Sequence, residues 1–272
     1  MTTVRHDTDD TGDTRRNRDA LRHGKNRSRD AGGPAGGRGV SGIRRRWDEI
    51  GAPGAGAALR DLALRVLAPA VVLWLVIIGI GAFIQGPLGG FQSESAVNRT
   101  LQAGRTPFWD GVTAVWSHIG NTEIVIGVCI VMVGVVWWLT RQWWVAVIPA
   151  IAISVQATVF VIATQLVGRD RPDVEKLDPA PATSSYPSGH VGASTALYLS
   201  LALLAGRIPH AGLRRLVTTV CLLIPLLVLY ARLYRGMHHL TDVLVGLLNG
   251  ITCAILAWYW LRRPKSPATR ST

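Results

Sequence analysis

Three short polar stretches interrupt an otherwise apolar chain: GRDRPD, with Arg169 and Arg171; YPSGH, with Ser188, Gly189 and His190; and ARLYRGMHHLTD, with Arg232, His238 and Asp242. Guanidinium groups are planar forks that suit the oxygens of a phosphate. Ser188 and Gly189 stand at the start of a predicted helix, where free backbone N–H groups and the helix dipole favour an anion, and Gly189 lets the backbone approach closely. His238 and Asp242 are four residues apart, so on a helix they share a face. The carboxylate would then bind one imidazole nitrogen, fix the tautomer and leave the other nitrogen as a nucleophile. His190 comes from a different helix and is free to act as a general acid. The set predicts phosphoryl transfer. His238 attacks phosphorus in line to form a phosphohistidine, and His190 protonates the leaving oxygen. Water then attacks the phosphohistidine with His190 as base, while Arg171, Arg232 and the turn amides hold the charge on the equatorial oxygens. The arginines supply positive charge and no acidic cluster suits magnesium, so neither metal nor cofactor is expected.

The elements that must position these residues are apolar runs. The chain has 272 residues, 49% of them hydrophobic, yet a formal net charge of +12; the two properties are segregated, with charge concentrated in the first 66 residues. Six runs follow, at 67–84, 123–140, 143–167, 190–206, 214–231 and 240–261, each near the ~17–25 residues that cross a bilayer as a helix. The expected fold is an all-α integral membrane bundle of six transmembrane helices. Residues 1–66 are expected to form a disordered basic cytoplasmic tail, since they hold few large apolar residues, and 264–272 a short one. Arg44, Arg45, Arg46 and Trp47 would let the first tail contact anionic lipid, the alternative being a solvated tail. Basic connections and tryptophans place both termini on the inner face, and the three polar stretches then emerge together on the outer one. Outer arginines run against this rule and need a reason of their own. Phe108, Val112, Val115 and Ile119 recur at helical spacing and predict an amphipathic helix on the outer surface. The basic balance is accounted for by the inner face of a membrane protein, and no nucleic-acid motif is present. Cys129, Cys221 and Cys253 lie in apolar runs without a CxxC, which argues against a disulfide framework. His118 reads as a surface residue.

GRDRP, YPSGH and RLYRGMHHLTD together resemble the three signature stretches of the type-2 phosphatidic acid phosphatase superfamily, which includes membrane lipid phosphatases and soluble vanadium haloperoxidases. The resemblance covers the motifs and the spacing of spans over 67–263, not the tail. It implies site roles for Arg171, Ser188, Gly189, His190, Arg232, His238 and Asp242. It also implies a lipid phosphate substrate: phosphatidic acid, phosphatidylglycerol phosphate or polyprenyl pyrophosphate. The motif usually begins with a lysine seven residues before the arginine of its Arg-Pro pair; here that position is Thr164, and Arg169 is the nearby cation that would compensate. Ala231 stands where the third motif often has serine. A multi-pass protein of a bacterial plasma membrane, hydrolysing a lipid phosphate on the extracytoplasmic side, is the leading expectation. A lipid phosphotransferase using the same histidine, and a noncatalytic lipid-binding relative, are the alternatives.

Overall fold

A computed structural model describes Thr3 and residues 52–89, 92–180 and 183–261, which are helical without a strand. The expected tail contact at Arg44–Trp47 lies outside the described residues, as does most of the expected disorder over 1–66, but residues 55–66 are helical rather than disordered. The first long helix begins earlier than the apolar run. Helix α1 (Ala55–Leu62) runs through a π turn (Ala63–Leu67) into α2 (Ala68–Gln85). Alanine-rich AGAALRDL has high intrinsic helix propensity, and the Asp61–Arg65 pair, 3.6 Å apart at i,i+4, accommodates its buried carboxylate.

A 3₁₀ turn at Gln92–Glu94 leads to α3 (Ser95–Ala103) and α4 (Pro107–Ile119). Helix α4 starts where Thr106 accepts a hydrogen bond from the Trp109 amide and Pro107 occupies the first turn, both favourable N-terminal devices. It is the amphipathic helix expected from the spacing, but its polar face is the one turned inward. Thr113 and Ser117 are buried, whereas Phe108 and Val115 are 70% and 62% exposed.

Helices α5 (Thr122–Thr140), α6 (Trp143–Ala146) and α7 (Ile148–Val167) follow, the last two forming one span that bends at Val147 before Pro149. Gly168, with φ +63°, ends α7 in the left-handed region, where glycine is at little cost. After the long loop come α8 (Gly189–Ala205), α9 (Ala211–Tyr234) and α10 (Leu240–Trp258). Five spans among the described residues are long and apolar enough to cross a membrane: Ala55–Gln85, Thr122–Thr140, Trp143–Val167, Ala211–Tyr234 and Leu240–Trp258. The sixth expected span, α8, has only 17 residues, a rise of about 25 Å. It is short because it is interior. Most of its residues are buried, and α7, α9 and α10 pack around it.

The α8–α10 crossing is close because of small residues. A Cβ on Gly250 would lie 2.5 Å from both the Gly192 carbonyl oxygen and Thr195 Cβ, and one on Gly246 would lie 2.6 Å from the Ser188 carbonyl oxygen. Gly246 and Gly250 are a GxxxG pair, the spacing that lets two membrane helices approach at backbone distance. At the opposite end from Ser188, Trp260 Nε1 donates to the Trp144 carbonyl at 3.2 Å, joining the ends of α10 and α6.

Candidate functional site

The site lies at the end of the bundle where α7 stops, α8 starts and α9 turns into α10. The SSY stretch before the proline of YPSGH is stitched to the start of the loop that follows α7. The Arg169 amide donates to Ser184 Oγ at 2.9 Å, the Ser185 amide to the Arg169 carbonyl at 2.8 Å, and Ser185 Oγ to the Asp170 carbonyl at 2.8 Å. Tyr186, fully buried, anchors the same stretch to α2 by donating its hydroxyl to the Ile77 carbonyl at 2.7 Å. These contacts fix the Ser185 carbonyl, which accepts from His238 Nδ1 at 2.7 Å. The proton of neutral His238 therefore sits on Nδ1, and Nε2 keeps its lone pair. Burial, then the charges of Arg232 and Arg171, hold the His238 imidazole well below the ordinary histidine range, so it is neutral at pH 7. The turn carrying His238 is itself clamped. Asn98 of α3 donates to the Leu233 and His238 carbonyls, and Arg171 Nη1 donates to the Met237 carbonyl at 2.7 Å.

The expected Asp242–His238 hydrogen bond is absent. Asp242 Oδ2 stands 3.9 Å from His238 Nδ1. His238 precedes the helix, so helical i,i+4 geometry does not apply to the pair. Asp242 is instead the third residue of α10 and accepts from the His239 backbone amide at 2.8 Å in a capping box. Its other oxygen accepts from Arg169 Nη1 at 2.6 Å. Arg169, 3% exposed, also reaches Glu94 Oε2 at 3.2 Å and Thr241 Oγ1 at 2.7 Å. It is thus held between two carboxylates rather than aimed at a ligand, and does not replace the missing lysine. Thr164 donates to the Ser184 carbonyl at 3.4 Å and supports the loop.

Arg171, Gly189, His190, Arg232 and His238 come together. Arg171, His190, Arg232 and His238 line one cavity of about 730 Å³. Two guanidinium donors of the cavity lining are buried and unpaired among the described residues: Arg171 Nε and Arg232 Nε. Unpaired buried donors are costly, and an anion in the cavity would satisfy them. Ser188 is not part of that lining: it is fully buried, and its amide donates to the Asp242 carbonyl at 2.9 Å. Gly189 lines the same cavity, and a Cβ there would lie 2.8 Å from the Phe160 ring.

Sequence reasoning missed several residues that shape this site. Asp178 Oδ2 accepts from Arg232 Nη1 at 2.8 Å and from Ser117 Oγ at 2.9 Å, while its Oδ1 accepts from Arg235 Nε at 2.8 Å. Asn121 Oδ1 lies 3.0 Å from His190 Nε2. Glu94 and Ser185 complete the list. All four come from loops or helix ends outside the three motifs, and no spacing rule marks them. Away from the charged end the cavity continues between α5 and α7, past Phe160, Val161, Ile153 and Ile126.

Phosphatidylglycerophosphatase B of Bacillus subtilis (strain 168) is 24% identical over 161 residues, covering 58% of this chain and 78% of that protein. The crystal structure of a transmembrane PAP2-type phosphatidylglycerolphosphate phosphatase from Bacillus subtilis superposes with a TM-score of 0.61 at 21% identity, covering 70% of this chain and 94% of that one. The crystal structure of Aquifex aeolicus LpxE gives 0.49 at 21% identity, covering 60% of this chain and 93% of that one. The sequence profile of the PAP2 superfamily matches residues 143–266, the segment that supplies the GRDRP, YPSGH and RLYRGMHHLTD stretches.

Proposed function

We propose that the protein is an integral membrane lipid phosphatase that hydrolyses a phosphate monoester or diphosphate through a phosphohistidine. The observation that carries the reading is the cage itself: His190 and His238 line one cavity with Arg171 and Arg232, whose Nε atoms lack partners among the described residues. The lone pair of His238 Nε2 attacks phosphorus as the P–O bond to the lipid breaks, and His190 gives its proton to the departing oxygen. Water then attacks the phosphohistidine, His190 takes a proton from that water, the P–N bond breaks and inorganic phosphate leaves. Guanidinium groups stabilise the charge that develops on the equatorial oxygens. The apolar continuation between α5 and α7 takes the lipid's hydrocarbon while its phosphate meets the arginines. Asp242 acts through Arg169 and the start of α10 as a positioning residue. The site faces the extracytoplasmic side of a bacterial plasma membrane, with both termini inside. Residues 67–263 form the catalytic domain, with the helix preceding it beginning at Ala55.

The test is phosphate release by detergent-purified protein from phosphatidylglycerol phosphate, phosphatidic acid and polyprenyl pyrophosphate, with a chelator present. Activity on at least one is expected, with His238→Ala and His190→Ala each lowering kcat by about a thousandfold or more. Full activity in both variants, or lipid binding without turnover in the native chain, would overturn the reading.

A further inference from the structure

The reaction requires His190 to give a proton in one step and take one in the next, and one residue outside the three motifs bears on how it does both. Asn121 occupies the N-cap of α5, where an asparagine side chain ordinarily accepts from the first-turn amides and stabilises the helix by ~0.5–2 kcal/mol. Here it makes no such bond. Its Oδ1 lies 3.0 Å from His190 Nε2, and its Nδ2 lies 3.0 Å from Nδ1 of His118, the exposed histidine at the end of α4. The approach depends on the preceding residue. A Cβ on Gly120 would lie 3.2 Å from His190 Cβ and 3.3 Å from its Cδ2, so a larger side chain would push the ring off the turn.

A carboxamide has one accepting and one donating end, so its orientation dictates the protonation of whatever it touches. With Oδ1 toward His190, the ring must present Nε2–H. With Nδ2 toward His118, that ring accepts through Nδ1, so one orientation of the amide satisfies both rings. We propose that Asn121 is a positioning residue that holds neutral His190 as the Nε2–H tautomer, so that Nδ1 is the atom that both releases the proton to the leaving group and recovers one from water. The inference rests on the phosphatase reading of the site. In the acid form both ring nitrogens carry protons; the Nδ1 proton goes to the lipid oxygen, and Nε2–H stays on Asn121. The neutral ring that remains has a bare Nδ1 and serves as base without reorienting. Without the amide, neutral His190 would divide between two tautomers, one of which has no base at Nδ1. The charged groups around His190 are Arg232 of α9 and Asp178 and Arg171 of the loop after α7, with His238 beyond them. Among the described residues, the hydrogen bond at Nε2 is made by Asn121 and by none of Arg232, Asp178 and Arg171.

The experiment pairs kinetics with ¹⁵N NMR of histidine-labelled full-length protein in detergent micelles, the His190 signals being identified by their loss in His190→Gln. The native chain is expected to show protonated Nε2 and bare Nδ1, and Asn121→Ala a mixture. Asn121→Ala should lower kcat by about 10- to 100-fold with KM within about twofold, a part of the ~100- to 10,000-fold that positioned proton transfer contributes. Asn121→Asp keeps the acceptor and adds a negative charge beside the ring. It should recover most of the activity while moving the basic limb of the kcat profile upward by about one pH unit or more. His118→Ala should give a smaller loss of the same kind. A native chain with the proton on Nδ1, or Asn121→Ala with unchanged tautomer and kcat, would overturn the proposal. If the native chain hydrolyses no lipid phosphate, the phosphatase reading falls, and the NMR result still decides the tautomer.

Discussion

Asp178 is a carboxylate placed inside a cage built for an anion, shared by Arg232 on one oxygen and Arg235 on the other. It orients the Arg232 fork so that Nη1 is engaged and Nε is left over, and it lowers the net charge that a phosphate would meet. Asp178→Asn keeps the shape and removes the charge. Inorganic phosphate should then inhibit more tightly by about three- to tenfold, close to 1 kcal/mol of relieved repulsion, and an unchanged inhibition constant would mean that the carboxylate does not face the bound ion. His238 offers a second measurement at this scale. Its folded value lies below its ordinary one. Between the folded value and the unfolded ~6.5, the unfolded chain binds a proton that the folded chain does not, so stability rises with pH there. The contribution is complete above about pH 6.5 and is lost as pH falls below it. The melting temperature in detergent should decline over that interval, and less steeply in His238→Asn. The motif residues were legible because arginine, histidine and glycine at fixed offsets have few other reasons to interrupt apolar runs. Asp178, Asn121 and Ser185 were not, since each acts through a fold-dependent partner 53 to 69 residues away. The His238–Asp242 pair misled because spacing implies a shared face only when both residues are inside the helix.

Helix existence could be read from apolar runs to within a few residues, because a bilayer demands length and hydrophobicity of any span. What those runs do not encode is which helix lies inside. Helix α8 is as apolar as its neighbours yet buried nearly all round, and the signal for that is the glycine spacing on α10, 246 and 250, meeting Gly192 and Ser188. The polar inner face of α4 was hidden for a related reason. In lipid the exposed side of a helix is the apolar one, so Phe108 and Val115 face out while Thr113 and Ser117 meet Arg235 and Arg232. Gly246→Ala tests the crossing. A methyl group there must displace the Ser188 carbonyl, two residues from His190, and overpacking of this kind costs ~1–3 kcal/mol. Activity should fall by a larger factor than the modest drop in melting temperature implies. Gly250→Ala, two turns from the site by Thr195, should cost similar stability with less effect on turnover. Equal losses of activity in the two variants would show that the crossing acts through global stability alone.

At the scale of the molecule, the arginines at the site end of the bundle acquire the reason that the charge distribution demanded. Arg105, Arg169, Arg232 and Arg235 are all fixed to carboxylates or carbonyls. They join segments that no apolar contact could join, since loops at a membrane surface have little hydrocarbon to bury. Arg235 is the clearest case. Its Nε holds Asp178, its Nη1 the Asp110 carbonyl at 2.9 Å and Thr113 Oγ1 at 3.3 Å, and its Nη2 the Leu177 carbonyl at 2.8 Å. The Leu177 amide returns a bond to the Arg235 carbonyl at 3.1 Å. One side chain thus ties α4, the loop between α7 and α8, and the turn before His238. Arg105 reinforces it through the Glu175 and Tyr234 carbonyls, each at 2.9 Å. Lysine keeps the charge but offers no planar fork, so it cannot reach these acceptors together. Arg235→Lys should therefore leave the buried helices in place while freeing the loop. Cleavage by an added protease between residues 173 and 184 should speed up and KM for the lipid should rise. The melting temperature should fall by less than for Arg235→Ala, where the Asp178, Asp110, Thr113 and Leu177 acceptors all lose the Arg235 donor. Unchanged cleavage in Arg235→Lys would mean that the loop is held by Ser184 and Ser185 alone and that the arginine girdle serves charge balance rather than assembly.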